Sequence, residues 1–172
     1  MTGKLFVIAL VLSAAIGGAA MYWLQVYAFY EPVEEPRVEL TTLQGTVEPI
    51  LADNVQAIDA DSSPIRYRAC FETPMSEAMM SETYVLYDEA TPLNAPDWFD
   101  CFSSTEIGEA LETGQALAFL GVENIEYGID RVVAVLPDGR GFAWHQINRC
   151  GERVFDGDPP PEGCPLPPER TE

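Results

Sequence analysis

The chain of 172 residues carries 28 acidic against nine basic residues, a formal net charge of −19. This balance excludes nucleic-acid binding through phosphate contacts, which need clustered cations, and it predicts repulsion from anionic lipid surfaces. Solubility alone explains such a charge, and attraction to a partner with a basic face is the alternative. After an N-terminal segment and a linker, roughly 130 residues remain, enough for one small domain with a single core.

An apolar run dominates the N-terminus. From Leu5 to Leu24 the sequence contains no charged residue. At about 1.5 Å of helical rise per residue, this run spans roughly 30 Å, the thickness of the hydrocarbon core of a bilayer. A helix also satisfies its own backbone hydrogen bonds, as lipid requires. The sequence therefore predicts a single-pass transmembrane anchor over residues 5–29.

The flanking charges predict the orientation of this anchor. Lys4 is the only lysine and precedes the run, whereas all 28 acidic residues and eight arginines follow it. Positive residues beside a first helix tend to stay in the cytoplasm. We therefore expect residues 1–4 in the cytoplasm and the C-terminal domain on the outer side of the membrane, in a periplasm or at the cell exterior. The outer end of the run carries aromatic residues, which are typical of a membrane–water interface: Tyr22, Trp23, Tyr27, Phe29 and Tyr30.

A cleavable signal peptide is the competing interpretation of this segment. Gly18 and Ala20 are small residues at the −3 and −1 positions of a cut before Met21. Hydrophobicity resumes after that point as far as Val26, which makes the run long for a signal peptide. The pattern therefore favours an uncleaved anchor.

Composition divides the remainder of the chain into three parts. Residues 30–46 hold Pro32, Pro36 and four acidic residues, a composition that predicts a linker without a core. The periplasmic α+β domain is expected over residues 47–157. Residues 158–172 are rich in proline and predict an extended tail that Cys164 pins to the domain.

Alternating and apolar patterns predict the first elements of the domain. The stretch Ile65–Phe71 alternates apolar and polar residues after a turn at 59–64, which is typical of a half-buried strand. Residues 75–81 predict a short helix and residues 84–87 another strand. Prolines within residues 91–96 predict a loop.

A capping box marks the next helix. Ser103 is the expected N-cap, with Glu106 three residues later, and Gly114 suits the position after the last turn. The helix should run to about Thr113. Its buried stripe should consist of Ile107, Ala110 and Leu111.

The last strands are predicted to form a hairpin. Residues 116–122 are an apolar run short enough for a buried strand. Residues 131–136 and 141–148 flank Pro-Asp-Gly-Arg, a strong β-turn signal. One face should carry Val132, Ala134 and Leu136, and the partner strand should carry Phe142 and Trp144. The fold class expected is α+β: one transmembrane helix, then a small antiparallel sheet with one or two short helices, stapled by disulfides.

The four cysteines all lie in the outer domain. Their even number and their predicted compartment favour disulfides, and of three pairings we prefer Cys70–Cys101 with Cys150–Cys164. Each closed loop stabilises the domain by about 3 kcal/mol in the chain-entropy model. A thiol redox centre is the alternative, but redox cysteines usually form a Cys-X-X-Cys pair, and the sequence has none.

Motifs for catalysis, metal or cofactor binding are absent from the sequence. His145, the only histidine, lies five residues before Cys150, without the tight ligand pairs typical of zinc sites. The sequence contains no nucleophile elbow and no phosphate-binding glycine loop. We therefore assign no catalytic residue, no metal ligand and no cofactor.

The arginines are the remaining candidates for a ligand site. Converging guanidinium groups would form an anion site, for which the candidates are Arg66, Arg68, Arg131 and Arg149. Pairing of these arginines with neighbouring carboxylates is the alternative in so acidic a chain.

Three stretches carry a resemblance to a known family. They are Ala57–Phe71, Tyr127–Val135 and Trp144–Gly151, and the anchor with residues 21–30 looks similar too. Together they resemble an uncharacterised family of alphaproteobacterial, Rhodobacter-type envelope proteins. The resemblance covers nearly the whole chain and implies an inner-membrane location, but it implies no activity and no functional residue.

The sequence as a whole predicts a membrane-anchored accessory protein. We expect it to dock, without catalysis, on another envelope protein, because the anchor is full-length and carries the small-residue pairs Ser13/Gly17 and Ala14/Gly18. The alternative is a thiol- or histidine-dependent periplasmic enzyme centred on His145 and Cys150. A ligand sensor is disfavoured, because only about four residues precede the membrane segment.

Overall fold

A computed structural model describes residues 2–168 of the chain. The helix α1 spans Thr2–Trp23 and continues as a π-helical turn over Leu24–Ala28. Gly3–Ala28 is long and apolar enough to cross a membrane, and no other helix among residues 2–168 is. A signal sequence has the same properties, so a retained anchor and a cleaved signal peptide both agree with this helix.

The domain that follows is built on antiparallel strands. Six of them form one sheet in the order β1-β4-β5-β8-β7-β6, and β2 and β3 form a separate hairpin. The strands are β1 (Glu31–Pro32), β2 (Glu39–Thr41), β3 (Val47–Pro49), β4 (Asp53–Asp59), β5 (Arg68–Glu72), β6 (Leu117–Glu126), β7 (Ile129–Val135) and β8 (Arg140–Ile147). Three short helices accompany them: α2 (Glu77–Thr83), α3 (Ser104–Glu112) and α4 (Arg149–Phe155). The predicted α+β class is confirmed.

Each face of the large sheet carries its own hydrophobic core. One face packs beneath the β2–β3 hairpin and α2, through Leu40, Met80 and Phe119, which are fully buried. The other face packs beneath α3 and the segment before it, through Phe102, Ile107 and Trp144. Because side chains alternate along a strand, neighbouring residues of β7 and β8 serve opposite cores.

The predicted hairpin and helix α3 are confirmed. Strands β7 and β8 pair in the register Val132↔Trp144 and Ala134↔Phe142, so these four side chains share one face. The Ser103 hydroxyl accepts a hydrogen bond from the backbone N–H of Glu106 and caps α3. Within α3, Ile107 and Ala110 are buried, whereas Leu111 is only partly so. These elements were predictable because their signals are local.

The predicted linker at residues 30–46 is wrong. Glu31–Pro32 pairs with β4, and Val38 and Leu40 are buried in the core. Proline is tolerated at this place because β1 is an edge strand, where a missing N–H leaves no ladder bond unmade. Glu31, Glu34 and Glu35 are exposed, and the acidic composition of the segment gives no sign of its two core residues.

Two predicted strands and one helix also differ. The strand expected at Ile65–Phe71 begins only at Arg68, because residues 63–66 still form a turn in which Arg66 N–H donates to the Ser63 carbonyl. Residues 84–87 form no regular strand, and Tyr84 and Leu86 make isolated bridges with Thr42, just after β2, and with Phe119 in β6. Helix α4 was not predicted, and Asn148 caps it by accepting hydrogen bonds from the N–H groups of Cys150 and Gly151.

Two disulfides brace the domain. Cys70 in β5 is bonded to Cys101 in the segment before α3, and Cys150 in α4 is bonded to Cys164 in the C-terminal segment. This is the pairing that the sequence favours. The Tyr127 hydroxyl also donates to the Pro165 carbonyl, so the segment lies against the domain. The ends of the predicted tail (residues 169–172) and of the predicted cytoplasmic segment (Met1) lie outside the described residues.

We predict that Gly128→Ala destabilises the domain by about 3 kcal/mol, since it combines backbone strain with overpacking. Gly128 has φ +79°, and a Cβ there would lie 2.5 Å from the Cα of Gly151 in α4. Gly157→Ala is the matched control, because its φ is +90° but no atom lies within 4 Å of the added carbon. Urea unfolding followed by tryptophan fluorescence measures both. Equal losses in the two variants would contradict the close contact.

Candidate functional site: the cleft between the apolar helix and the domain

The connection between the apolar helix and the sheet is very short. The helical turn ends at Ala28, and β1 begins at Glu31, which leaves only Phe29 and Tyr30 between them. Strand β1 pairs with β4 through Glu31↔Asp59. The end of the helix is therefore held at the edge of the sheet.

Aromatic side chains join the helix end to the domain. The indole Nε1 of Trp98 donates a hydrogen bond of 2.7 Å to the carbonyl of Val26. The Trp98 ring stacks on Tyr27 with centroids 6.4 Å apart and meets Tyr30 edge-on at 6.0 Å. We call Tyr27, Tyr30 and Trp98 the aromatic collar.

Arg66 contributes a charged contact at the same place. Its guanidinium lies over the Tyr30 ring, 5.4 Å from the centroid, and Nη2 donates to the side-chain oxygen of Gln25 at 3.5 Å. Its other terminal nitrogen, Nη1, is buried without a hydrogen-bond partner among the described residues. Arg66 thus packs against the collar while part of its hydrogen-bonding capacity stays unused.

Beside the collar lies a cleft of about 700 Å³, which we call the helix–domain cleft. The helix end supplies Tyr22, Gln25 and Tyr30, and the domain supplies residues 94–104. Two carboxylates, Asp97 and Asp100, are part of this lining, and no lysine or arginine is. Both carboxylates are exposed, so the cleft is open and acidic.

The domain wall of the cleft is held by a buried arginine. Arg68 is 3% exposed, and its guanidinium donates to the carbonyl oxygens of Leu93 (2.9 Å) and Asn94 (3.0 Å). It also donates to the carbonyl oxygens of Ile65 and Tyr67, at 2.8 and 2.6 Å. Burial lowers the pKa of Arg68 to about 10, so the group stays charged at neutral pH.

Further contacts fix the rest of this wall. Cys101 is tied to β5 by its disulfide with Cys70. Phe102 packs edge-on against Phe142 at 5.9 Å and against Trp144 at 6.3 Å, in the core. The wall that faces the helix end is therefore anchored at Asn94, at Cys101 and at Phe102.

The four arginines proposed as an anion site do not converge. Arg68 directs its nitrogens to four backbone carbonyls and is not free for a ligand. Arg131 lies over Tyr67 on the opposite face of the sheet, 4.2 Å from the ring centroid. Arg149 lies on α4, where it donates to the carbonyl of Glu162. Of the four, Arg66 alone lies near the cleft. The prediction that Arg66 and Arg68 share one face of a strand was wrong, because β5 begins only at Arg68.

His145 and Cys150 do not form a catalytic couple. His145 is 5% exposed and stacks on Tyr67 at 4.7 Å. Its Nε2 accepts a hydrogen bond from Arg131 Nε at 3.0 Å, and Nδ1 lies 2.7 Å from the carbonyl of Pro64. Burial and the charge of Arg131 lower the pKa of His145 to about 4. The imidazole is therefore neutral with both nitrogens engaged, and Cys150 is oxidised.

A second buried polar network was missed by sequence reasoning. The carboxylate of Asp130, 5% exposed, accepts hydrogen bonds from Asn124 N–H, from Asn148 Nδ2 and from the Tyr87 hydroxyl. Burial and this carboxylate raise the pKa of Tyr87. Because Asn148 also caps α4, the network fixes that helix to the sheet. No local signal announces it, since its members come from four separate segments.

Metal ligands are not grouped in this structure. Within residues 2–168 no set of three or more histidine, cysteine, aspartate or glutamate side chains is arranged to hold a metal ion. The helix–domain cleft therefore stands out by its shape, its acidic lining and its position at the end of the apolar helix.

The fold and the cleft define a small, disulfide-bonded antiparallel-sheet domain seated directly on an N-terminal apolar helix. Residues 38–165 match the model of a family described as "Family of unknown function (DUF6446)". This match covers more than half of the chain, and the chain belongs to that family. No curated protein and no solved structure matches the chain.

We predict that Arg68→Met destabilises the domain by about 3 kcal/mol, because carbonyl oxygens in a buried site lose their donors. Arg149→Met is the control and should change the free energy of unfolding by less than about 0.5 kcal/mol, since Arg149 is exposed. Urea unfolding of the full chain in detergent measures both. An Arg68→Met protein as stable as the wild type would contradict the role of this clamp.

His145 should make stability depend on pH. Its pKa is lowered from 6.5 to about 4 in the folded state, so the unfolded state takes up a proton first as the pH falls. The contribution is fully present above about pH 6.5 and is lost as the pH falls toward 4; it amounts to about 3 kcal/mol. His145→Gln removes this contribution. The measurement is the difference in unfolding free energy between wild type and variant at several pH values, and a constant difference would contradict the prediction.

Proposed function

We propose that this protein is a single-pass protein of a bacterial inner membrane that presents its domain to the periplasm. In this proposal residues 1–4 lie in the cytoplasm and residues 5–29 cross the bilayer. The length and hydropathy of Gly3–Ala28, the lone Lys4 before it and the two disulfides after it support this arrangement. An alphaproteobacterial source is implied by the sequence resemblance.

At the membrane surface the protein acts as an accessory protein, without catalysis, that docks on another envelope protein. The observation that carries this proposal is the direct seating of the domain on the helix end. Only two residues separate the π-helical turn that ends α1 from β1. The hydrogen bond from Trp98 to Val26 also holds the domain against the helix end. A domain held in this way presents one constant face to its neighbours in the membrane, which suits docking.

Charge and exposed apolar side chains suggest what docks. All 28 acidic residues and eight arginines follow the anchor, so the remainder of the chain is strongly negative and favours a partner with a basic face. The β2–β3 hairpin exposes Leu43 and Val47 on its surface. We therefore place the protein contact on this hairpin, away from the helix–domain cleft.

Photocrosslinking in cells tests the docking. A photoreactive amino acid in place of Leu43, which is 57% exposed, should crosslink to another envelope protein, whereas one in place of Leu166, which is 83% exposed, should not. Adding Trp98→Ala should reduce the crosslink severalfold, roughly in line with the loss of about 1 kcal/mol from one hydrogen bond. Recovery of only uncrosslinked monomer from the Leu43 position would overturn the proposal.

A further inference from the structure

A second hollow lies beside helix α4. It is bordered by α4, by the end of β8 and by residues 87–93, and its volume is about 520 Å³. Small-molecule sites usually occupy roughly 300 to 1,000 Å³ and combine an apolar wall with a few polar groups. We call this hollow the α4 pocket. It belongs to the domain alone, so an inference from it depends neither on the proposed membrane anchor nor on the proposed protein partner.

The wall formed by residues 89–93 is fixed by Gln146, which lines the pocket and is 8% exposed. The Oε1 of Gln146 accepts hydrogen bonds from the backbone N–H of Thr91 at 2.8 Å and from Trp144 Nε1 at 3.0 Å. Its Nε2 donates to the carbonyl of Glu89 at 3.0 Å. The pocket is therefore formed before a ligand arrives, which lowers the entropic cost of binding.

Apolar side chains make up one part of the lining. They are those of Ile65, Leu93 and Ile147, together with Tyr87. Ile147 is 37% exposed although it belongs to β8, a strand that is otherwise largely buried. Because apolar surface gains free energy when it is removed from water, this part of the pocket favours a ligand with an aliphatic group.

Two opposite charges line the same pocket. Arg149 and Glu152 are three residues apart on α4, so their side chains leave the same side of the helix. Neither side chain forms an ion pair within residues 2–168. The one hydrogen bond that Arg149 makes in that range joins Nη2 to the carbonyl of Glu162 at 3.5 Å, which leaves Nε and Nη1 without an acceptor there. Glu89 adds a second, exposed carboxylate to the lining. The pocket therefore offers an unpaired cation and an unpaired carboxylate one helical turn apart.

We propose that the α4 pocket binds a free α-amino acid with an aliphatic side chain. The carboxylate of the ligand accepts hydrogen bonds from Arg149, its ammonium group donates to Glu152, and its side chain covers Leu93 and Ile147. Both charged groups of an α-amino acid are attached to one carbon, a separation that two side chains one helical turn apart can bracket. The C-terminus of a peptide has the carboxylate without the ammonium group, and a lysine side chain has the ammonium group without the carboxylate. Either of these would leave one charge of the pocket unpaired.

Isothermal titration calorimetry of the full chain in detergent tests the proposal, with L-leucine as the probe. We expect saturable binding at one site below about 10 mM ligand. N-acetyl-L-leucine, which lacks the ammonium group, and L-leucinamide, which lacks the carboxylate, should each bind roughly fivefold more weakly, as expected for the loss of an exposed ion pair. Glycine should bind more than about tenfold more weakly, because it lacks the aliphatic group.

Two outcomes of the titrations would overturn the proposal. One is the absence of saturable L-leucine binding. The other is binding of N-acetyl-L-leucine as tight as that of L-leucine, which would identify the C-terminus of a peptide as the occupant.

Variants on α4 locate the bound ligand. Arg149→Met should weaken L-leucine binding about tenfold and Glu152→Gln roughly fivefold, since each removes one charged contact. Arg153→Met is the matched control and should leave binding unchanged, because Arg153 is exposed on the same helix and pairs with Asp158 instead of lining the pocket. The free energy of unfolding in urea verifies that each variant is folded. L-leucine binding that survives Arg149→Met, or that falls equally in Arg153→Met, would overturn the proposed site.

Discussion

The buried guanidinium of Arg68 is the interaction on which the arrangement of the cleft depends. Its hydrogen-bond partners are backbone carbonyls from two segments, residues 65–67 and 93–94. A cation held by carbonyl dipoles fixes each donor direction, since the planar guanidinium presents its N–H groups in a rigid fork. Both segments therefore take their positions from one strand, β5, and both border the end of the apolar helix. The disulfide of Cys70, two residues further along that strand, reinforces the same attachment.

Three buried polar groups of the domain, Arg68, His145 and Asp130, stabilise different parts of it. Arg68 holds the cleft wall, His145 fixes the turn at Pro64, and Asp130 fixes the start of α4. Each is paired with hydrogen-bonding groups, so its burial costs little net free energy while it specifies one arrangement of the loops. Residues that look reactive in the sequence are thus explained by structure. The exposed Asp97 and Asp100 have no distinguishing signal in the sequence, and only the structure shows that both line the helix–domain cleft.

The sequence is sufficient for the features whose signals are local. The β7–β8 hairpin follows from its turn residues, and α3 follows from Ser103 and its capping box. Strands β1 to β4 were not predicted. In residues 30–46 the two buried residues Val38 and Leu40 are outnumbered by acidic and proline neighbours. Helix α4 is only seven residues long, too short for a periodic signal. The cleft could not be predicted from the sequence, because it is formed by residues 22–30 and 94–104, and no local pattern encodes a contact between such distant segments.

The two-residue connection has a mechanical consequence. A helix in a bilayer tilts when its apolar length exceeds the hydrocarbon thickness. With a flexible linker that tilt would be lost before it reached the domain. Here β1 begins directly after Tyr30, and Trp98 donates a hydrogen bond to Val26 in the last helical turn. The orientation of the sheet is therefore coupled to that of the helix. If the helix crosses a bilayer as proposed, a change in lipid thickness that tilts the helix also changes the angle of the domain at the membrane surface.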